Sequence, residues 1–154
     1  MSKALALKQE PETRRMHEAV RQYWMSVKEN RLFPAVEEIE PGCIAGAWNH
    51  CFIVDMRKGH VSDGFRYTYM GHDLMGAYGM DMSSLGRCDN ATAPHVGSML
   101  RHFDEVAESG EPAMDESEFI NTHGDRIKYR CCLLPLGRGD KVQYILGCMR
   151  WKTS

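Results

Sequence analysis

The stretch from Gly64 to Asp81, GFRYTYMGHDLMGAYGMD, changes its hydrophobic period in the middle. In its first half aromatic and polar residues alternate, as the two faces of a strand require, and one face carries Phe65, Tyr67 and Tyr69. In its second half apolar residues recur at spacings of three and four, which is typical of one helix face: Leu74, Met75 and Tyr78. Gly79 then predicts the end of that helix. The chain must therefore turn from an aromatic strand directly into a short helix.

The strongest helical pattern lies near the N-terminus, from Glu12 to Asn30. Charged residues occupy one face of this helix, and an apolar stripe occupies the other: Met16, Ala19, Val20, Tyr23, Trp24 and Val27. A stripe this wide needs cover, so we expect it to be buried against the rest of the chain, a second copy of the chain, or both. We divide the chain into an N-terminal amphipathic helix, residues 1–30, and one domain, residues 31–154.

The domain consists of segments with strand patterns and one longer helix. Strands are predicted over residues 50–56, 65–70, 113–122, 127–136 and 142–151, and the helix over residues 94–108. Turn compositions, HGD and GRGD, separate the last three strands, which indicates a meander. This order predicts an α+β fold with one five-stranded antiparallel sheet and helices packed on one face.

The charge balance gives no support for a strongly charged partner. With 19 basic and 21 acidic side chains the net charge is -2, so there is no general attraction to nucleic acid or to an anionic membrane. No apolar run approaches the roughly 20 residues of a spanning helix, and the N-terminus lacks a secretory pattern. We expect a cytoplasmic protein with six reduced cysteines and neither a nucleic-acid nor a membrane partner.

Several short motifs follow one another along the domain. They are Pro34, the acidic run Glu38-Ile39-Glu40-Pro41, Trp48, the strand Phe65-Arg66-Tyr67 that ends in Gly71, and the loop Gly79-Met80-Asp81-Met82-Ser83. In this order they resemble the motifs of PAS domains, and in particular those of the stand-alone PAS proteins of alphaproteobacteria. The resemblance covers residues 31–152, which is most of the chain.

The resemblance implies a sheet with the spatial order second, first, fifth, fourth and third strand. It places the N-terminal helix on the outer face and a small ligand pocket between the inner face and the other helices. The pocket would be lined by Phe52, Val54, Tyr67, Tyr69, Leu74, Met75, Tyr78, Met99, Phe103, Tyr129 and Leu133. Alternatively, these bulky side chains fill the space completely, and the domain acts as a dimerising adaptor.

The function implied by the resemblance is signal sensing or regulation through a small ligand or a protein partner. We expect no enzymatic activity and no output segment of the protein's own. We also expect a homodimer formed through the N-terminal helix, with Met16, Val20, Tyr23, Trp24 and Val27 at the interface. No cofactor is assigned.

Histidines on the long helix raise the alternative of a haem-based gas or redox sensor. His95 and His102 are seven residues apart and so lie nearly on one helix face, with Met99 between them. Neutral imidazole is a common axial ligand of haem iron.

The cysteines raise two further alternatives. Cys88 lies in LGRCDN, but this stretch lacks the longer pattern that accompanies the reactive cysteine of flavin-binding relatives. Cys51, Cys148 and one of Cys131 or Cys132 would fall on three adjacent strands, where thiolates together with His123 or His50 could bind zinc. Because buried cysteines are often small apolar fillers, no metal site is assigned.

An enzymatic alternative rests on Asp55 with Tyr67 and Tyr69 on the neighbouring strand. A desolvated carboxylate beside a phenol can act as a general base. The sequence contains no nucleophile elbow, phosphate-binding loop or HExxH motif, so we predict a non-enzyme.

Overall fold

The computed structural model describes residues 2–79 and 97–154, with side chains for residues 15–79 and 99–154. Helix α1 spans Ser2–Lys28, and two short 3₁₀ turns, Val36–Glu38 and Pro41–Ile44, lead into α2, Ala45–Trp48. After these come β1 Cys51–Asp55, β2 Arg66–Met70, α3 His72–Tyr78, α4 Gly97–Ser109, β3 Ala113–Ile120, β4 Arg126–Arg138 and β5 Lys141–Thr153. The five predicted strands are confirmed. The loop motif from Met80 to Ser83 and the predicted helix start at residue 94 lie outside the described residues.

The five strands form one antiparallel sheet with the order β2-β1-β5-β4-β3. This is the order that the resemblance implied, and it makes β1 and β5 central strands that are covered on both faces. Their burial agrees with this position, because Cys51–Val54 and Ile145–Met149 are buried without interruption. Strand β4 pairs along its whole length with β5, so the C-terminal hairpin forms the broadest part of the sheet.

Helices cover both faces of the sheet. Helices α3 and α4 pack on the inner face, where Phe103 of α4 contacts Phe52 of β1. Helix α1 lies on the outer face, where Trp24 Nε1 donates a hydrogen bond to the Pro135 carbonyl oxygen of β4 at 2.7 Å. Part of the apolar stripe of α1, including Val20 and Trp24, is therefore covered within its own chain.

The strand-to-helix transition after β2 has the predicted form. Helix α3 begins directly after Gly71, and it ends at Gly79, which adopts a left-handed conformation with φ 76°. The backbone N–H of Thr122, in the β3–β4 turn, donates a hydrogen bond to the Tyr78 carbonyl oxygen at 3.3 Å. The end of α3 is thus attached to the opposite edge of the sheet.

Within the described residues, no helix is long and apolar enough to cross a membrane.

Gly147 lies at the centre of the sheet, where the ring of Phe52 packs directly on its backbone. A Cβ atom at this position would lie 2.1 Å from Phe52 Cζ and within 2.6 Å of two further ring atoms. Phe52 is fully buried and cannot move aside into solvent. The ring therefore depends on the absence of a side chain at position 147.

We expect Gly147→Ala to destabilise the fold by roughly 1 to 3 kcal/mol, because the added methyl group forces the buried Phe52 ring out of its packed position. Chemical denaturation monitored by circular dichroism measures this change. Gly76→Ala is the matched control, since a Cβ atom there meets nothing within 4 Å and Gly76 lies in helix α3. The control should gain about 0.5 to 1 kcal/mol, and equal behaviour of the two variants would contradict this account of the core.

Candidate functional site

Most of the predicted pocket residues lie in one continuous core between the inner face of the sheet and helices α3 and α4. Ten of the eleven have exposed fractions of 5% or less: Phe52, Val54, Tyr67, Leu74, Met75, Tyr78, Met99, Phe103, Tyr129 and Leu133. Their rings contact one another, with centroid distances of 5.5 Å for Phe52 and Tyr67 and 6.0 Å for Phe52 and Phe103. The structure brings these residues together as a packed core; their role as ligand contacts stays a prediction.

Tyr69 is the exception, and the prediction that it shares a face with Tyr67 is wrong. Thr68 forms a β-bulge, since Ile53 pairs with Tyr69 while the next residue, Val54, pairs with Tyr67. The Tyr69 ring stacks on Trp48 with a centroid distance of 4.2 Å, and its hydroxyl donates to the Trp48 carbonyl oxygen at 2.9 Å. Burial raises the pKa of Tyr69 to about 12. Tyr69 thus anchors α2.

A buried polar cluster lies between α4 and the edge of the sheet. Asp115 has an exposed fraction of 2%, and the Tyr129 hydroxyl donates a hydrogen bond to Asp115 Oδ2. His102 Nδ1 lies 3.0 Å from Asp115 Oδ1, and His102 Nε2 lies 3.8 Å from Glu105 Oε2. Both nitrogens of His102 therefore face carboxylates. His95, the other candidate haem ligand, lies outside the described residues, so the haem alternative stays untested. Cys88, considered for a flavin site, also lies outside them.

Asp55, which was considered as a general base together with Tyr67 and Tyr69, is instead paired with Arg57. Arg57 donates hydrogen bonds to both carboxylate oxygens of Asp55 at 2.8 to 3.1 Å. Burial alone would raise the pKa of Asp55, but the hydrogen bonds from Arg57 outweigh it and lower the pKa. With Tyr69 held against Trp48, the arrangement that suggested an enzyme does not form.

Helix α1 uses its apolar stripe to contact the outer face of the sheet. Val20 and Trp24 have exposed fractions of 0% and 4%, whereas Met16, Tyr23 and Val27 are half-buried. The Tyr23 hydroxyl accepts a hydrogen bond from the Glu40 N–H at 2.7 Å, which ties the helix to the following connector. Val20 and Trp24, both predicted at a dimer interface, are therefore enclosed within one chain.

Two grooves flank α1. One, of about 450 Å³, separates it from the segment that contains α2 and is lined by Met16, Ala19, Ile44 and Ala47 among others. The other, of about 420 Å³, separates it from the β3–β4 edge and is lined by His17, Arg21, Met25, Met114, Arg130 and Cys132. None of the predicted pocket residues lines either groove.

Beneath α1, three cysteines form a row across the central strands. Cys51 pairs with Cys148, and Cys148 pairs with Cys132, so the three lie side by side on β1, β5 and β4. Cys131 points to the opposite face, as strand alternation requires. The row matches the prediction from the sequence. The predicted histidine partners do not: His50 packs on Trp151 at 4.7 Å between centroids, and His123 lies exposed in a turn.

His17 of α1 meets the row instead. One of its imidazole nitrogens and the Sγ atoms of Cys132 and Cys148 all lie within 4.8 Å of one another, and all three residues are buried. His17 Nε2 has no hydrogen-bond partner among the described residues. Such an orphaned buried atom is uncommon in folded proteins.

The electrostatics of this cluster keep its groups uncharged. Burial and, to a lesser extent, the positive charges of Arg130 and Arg150 lower the pKa of His17 from 6.5 to about 4. The pKa of Cys132 is raised well above its ordinary value by its hydrogen bond with Cys148 and by burial. At neutral pH the cluster thus contains a neutral imidazole and neutral thiols.

His17 was not among the predicted site residues, although the sequence carries a signal for it. His17 lies three residues before Val20 and seven before Trp24, a spacing that places all three on the same face of α1. A histidine within an apolar stripe is buried with the stripe, so its ring must find a polar partner or lose its charge.

Comparison with known proteins identifies the family and the fold. A family model described as "PAS domain" matches residues 12–150. No curated protein matches the chain.

Among solved structures, the LOV protein of Rhodobacter sphaeroides is similar, with a TM-score of 0.53 and 12% identity over 66% of this chain. The LOV domain of a blue-light activated histidine kinase from Erythrobacter litoralis has a TM-score of 0.50 and 13% identity, covering 68% of this chain and 95% of that domain. The chain spans 57% of the length of the Rhodobacter structure. At these identities the likeness concerns the fold alone.

The buried His17 predicts a pH dependence of stability. The unfolded chain takes up a proton on His17 near pH 6.5, but the folded chain does so only near pH 4. Stability due to this residue is therefore complete above pH 6.5 and is lost as the pH falls towards 4, by at most about 3.5 kcal/mol at about 1.4 kcal/mol per pKa unit.

Urea denaturation of chelator-treated protein at several pH values measures this loss. His17→Gln is the comparison variant, because it keeps a polar side chain without titrating. A wild-type curve parallel to the His17→Gln curve between pH 4 and 6.5 would contradict the prediction.

Proposed function

The chain belongs to the PAS domain family, and from this premise we propose that it is a regulatory, signal-sensing domain that binds a small ligand or a protein partner and transmits binding through helix α1. The observation that carries this proposal is the way in which α1 is attached. It covers the outer face of the sheet through a narrow line of contacts, with an open groove on each side. A ligand or partner in either groove would contact the helix and the sheet at the same time.

The end of α1 supports an independent movement of the helix. Glu29, directly after the helix, has a positive φ of 54° and lies in a turn. Arg31 then donates hydrogen bonds to the Val27 carbonyl oxygen and to both carboxylate oxygens of Glu38. These exposed contacts are worth little individually. The helix is therefore a docked element, and differential affinity of a ligand for the docked and undocked states would shift their populations.

Exposed apolar side chains indicate where a protein partner would bind. Met25 and Met114, with exposed fractions of 49% and 51%, lie on either side of the groove next to β4. Leu32, which follows α1, is also exposed, with an exposed fraction of 59%. Flexible methionine side chains suit a surface that accepts another protein.

We expect Trp24→Phe to loosen α1 selectively. The substitution keeps an aromatic ring but removes the hydrogen bond to the Pro135 carbonyl oxygen, which is worth about 1 kcal/mol and corresponds to about a fivefold shift in the docking equilibrium. Hydrogen exchange of peptides that cover residues 15–28 should accelerate by this factor, while β4 and β5 exchange at the wild-type rate.

Met25→Leu, an exposed change on the same helix, is the control and should leave exchange unaltered. If α1 in Trp24→Phe exchanges only when the whole domain unfolds, the helix is a fixed part of the fold and cannot act as the switch.

We propose that the chain also forms a homodimer through α1, using the face that the sheet leaves exposed. Native mass spectrometry of freshly purified protein should show a complex of two chains, and any excess mass reports a retained ligand. Met25→Lys combined with Leu32→Lys should shift the complex to monomers by placing like charges in the interface. Deletion of residues 1–30 is a poorer test, because it uncovers the apolar outer face. A wild-type chain that is monomeric at micromolar concentration would contradict the dimer.

A further inference from the structure

The cluster beneath α1 has the composition of a metal site, and we propose that His17, Cys132 and Cys148 bind a single thiophilic metal ion, Zn²⁺ or Cu⁺. The three residues come from α1, β4 and β5, so the site exists only in the folded chain. Two thiolates with one imidazole form a ligand set that zinc uses in proteins, and soft sulfur ligands also select Cu⁺. This inference goes beyond the proposed function and rests on the geometry of the three side chains.

The separations are compatible with coordination after small side-chain adjustments. The three ligand atoms lie within 4.8 Å of one another. Zn–S and Zn–N bonds of about 2.3 and 2.0 Å place tetrahedral ligand atoms roughly 3.5 to 3.8 Å apart. The difference is about 1 Å, which rotation about the cysteine and histidine χ1 bonds can supply without moving the backbone. Three protein ligands leave a fourth position for water or an external ligand.

Metal binding sets a proton cost at the cysteines. A neutral imidazole binds metals directly. Both thiols must release their protons when the ion arrives, so affinity should rise with pH. Arg130 and Arg150 act electrostatically on His17, and their positive charges favour the thiolates that form. With Zn²⁺ the two thiolates give a neutral centre, and with Cu⁺ they leave one negative charge that the arginines offset.

The surroundings provide access and restrict the ligand set. His17 and Cys132 line the groove between α1 and the β3–β4 edge, which connects the cluster to solvent. Cys51 stays outside the set, because it lies on the far side of Cys148 from Cys132 and its thiol donates to the Ala47 carbonyl oxygen at 3.3 Å. Cys51 lies beside Cys148 and would support this metal ligand without binding the ion itself.

A bound ion would join α1 to β4 and β5 and so hold the helix in its docked position. This consequence, though not the site itself, rests on the proposed function. Metal-binding stoichiometry and hydrogen exchange of residues 15–28 therefore test the two ideas separately. If the ion binds at the three residues without slowing exchange of α1, the site stands and the proposed role of the helix is wrong.

The test uses the full chain, stripped with a chelator and kept reduced with a phosphine. In the first arm Zn²⁺ is added in slight excess, and the metal retained after gel filtration is measured by plasma mass spectrometry. In the second arm Cu⁺ is added anaerobically. In the third arm Co²⁺ serves as the spectroscopic probe. We expect one ion per chain, and with Co²⁺ a thiolate-to-metal charge-transfer band in the near ultraviolet. If the protein retains neither Zn²⁺ nor Cu⁺, the proposal is wrong.

Substitutions assign the site. His17→Gln, Cys132→Ser and Cys148→Ser should each lower the affinity at least 100-fold. Cys131→Ser and Cys43→Ser are the matched controls, because one is the adjacent buried cysteine on the opposite face and the other is an exposed cysteine. If Cys148→Ser does not fold, Cys132→Ser at the groove tests the site in its place. Full metal retention in both His17→Gln and Cys132→Ser, or equal loss in the controls, would show that the ion binds elsewhere.

Discussion

The contact between the Phe52 ring and the backbone of Gly147 holds the inner half of the molecule together. Because Gly147 has no side chain, the ring lies directly on the central strand β5 and from there reaches Tyr67 of β2 and Phe103 of α4. Aromatic pairs of this kind each contribute about 0.5 to 1.5 kcal/mol beyond the area that they bury. The positions of β2 and α4 relative to β5 therefore depend on Gly147, because it has no side chain.

The two faces of the same sheet have different chemistry, and this difference organises the functional proposals. On the inner face aromatic and aliphatic side chains form a dense core, and its buried carboxylate, Asp115, accepts a hydrogen bond from the Tyr129 hydroxyl and lies 3.0 Å from His102 Nδ1. On the outer face the central strands present cysteines to a helix that is attached along a narrow line. Adjacent residues alternate between these environments, which is why Cys131 belongs to the core and Cys132 to the cluster with His17.

A helix that both covers the sheet and contributes a ligand links binding to conformation without a long pathway. Any ion or molecule that contacts His17 or the grooves beside α1 also touches the surface from which α1 would separate. The free energy of binding then adds directly to the free energy of docking. A PAS domain could in this way respond at its outer face.

The sequence was informative wherever the physics is local. The change to a spacing of three and four after Gly71 and the glycine that ends α3 both follow from the geometry of single elements, and each agrees with the structure. The same reasoning predicted the wrong face of β2 for Tyr69. Thr68 adds a residue to β2 that has no counterpart on β1, and this insertion moves Tyr69 to Trp48. A bulge depends on how two strands pair, so it cannot be predicted from the alternation of residues in the sequence of one strand.

What the sequence determined by itself is the set of elements, their order, and which face of each is apolar, because side-chain spacings of 2.0 in strands and 3.6 in helices are properties of the local backbone. The tertiary structure alone decided which distant residues meet. It selected His17 rather than His50 or His123 for the cysteine row and enclosed Trp24 within its own chain. Those choices depend on how α1 packs across strands far away in sequence, and the free energy of that packing belongs to the assembled molecule rather than to any one segment.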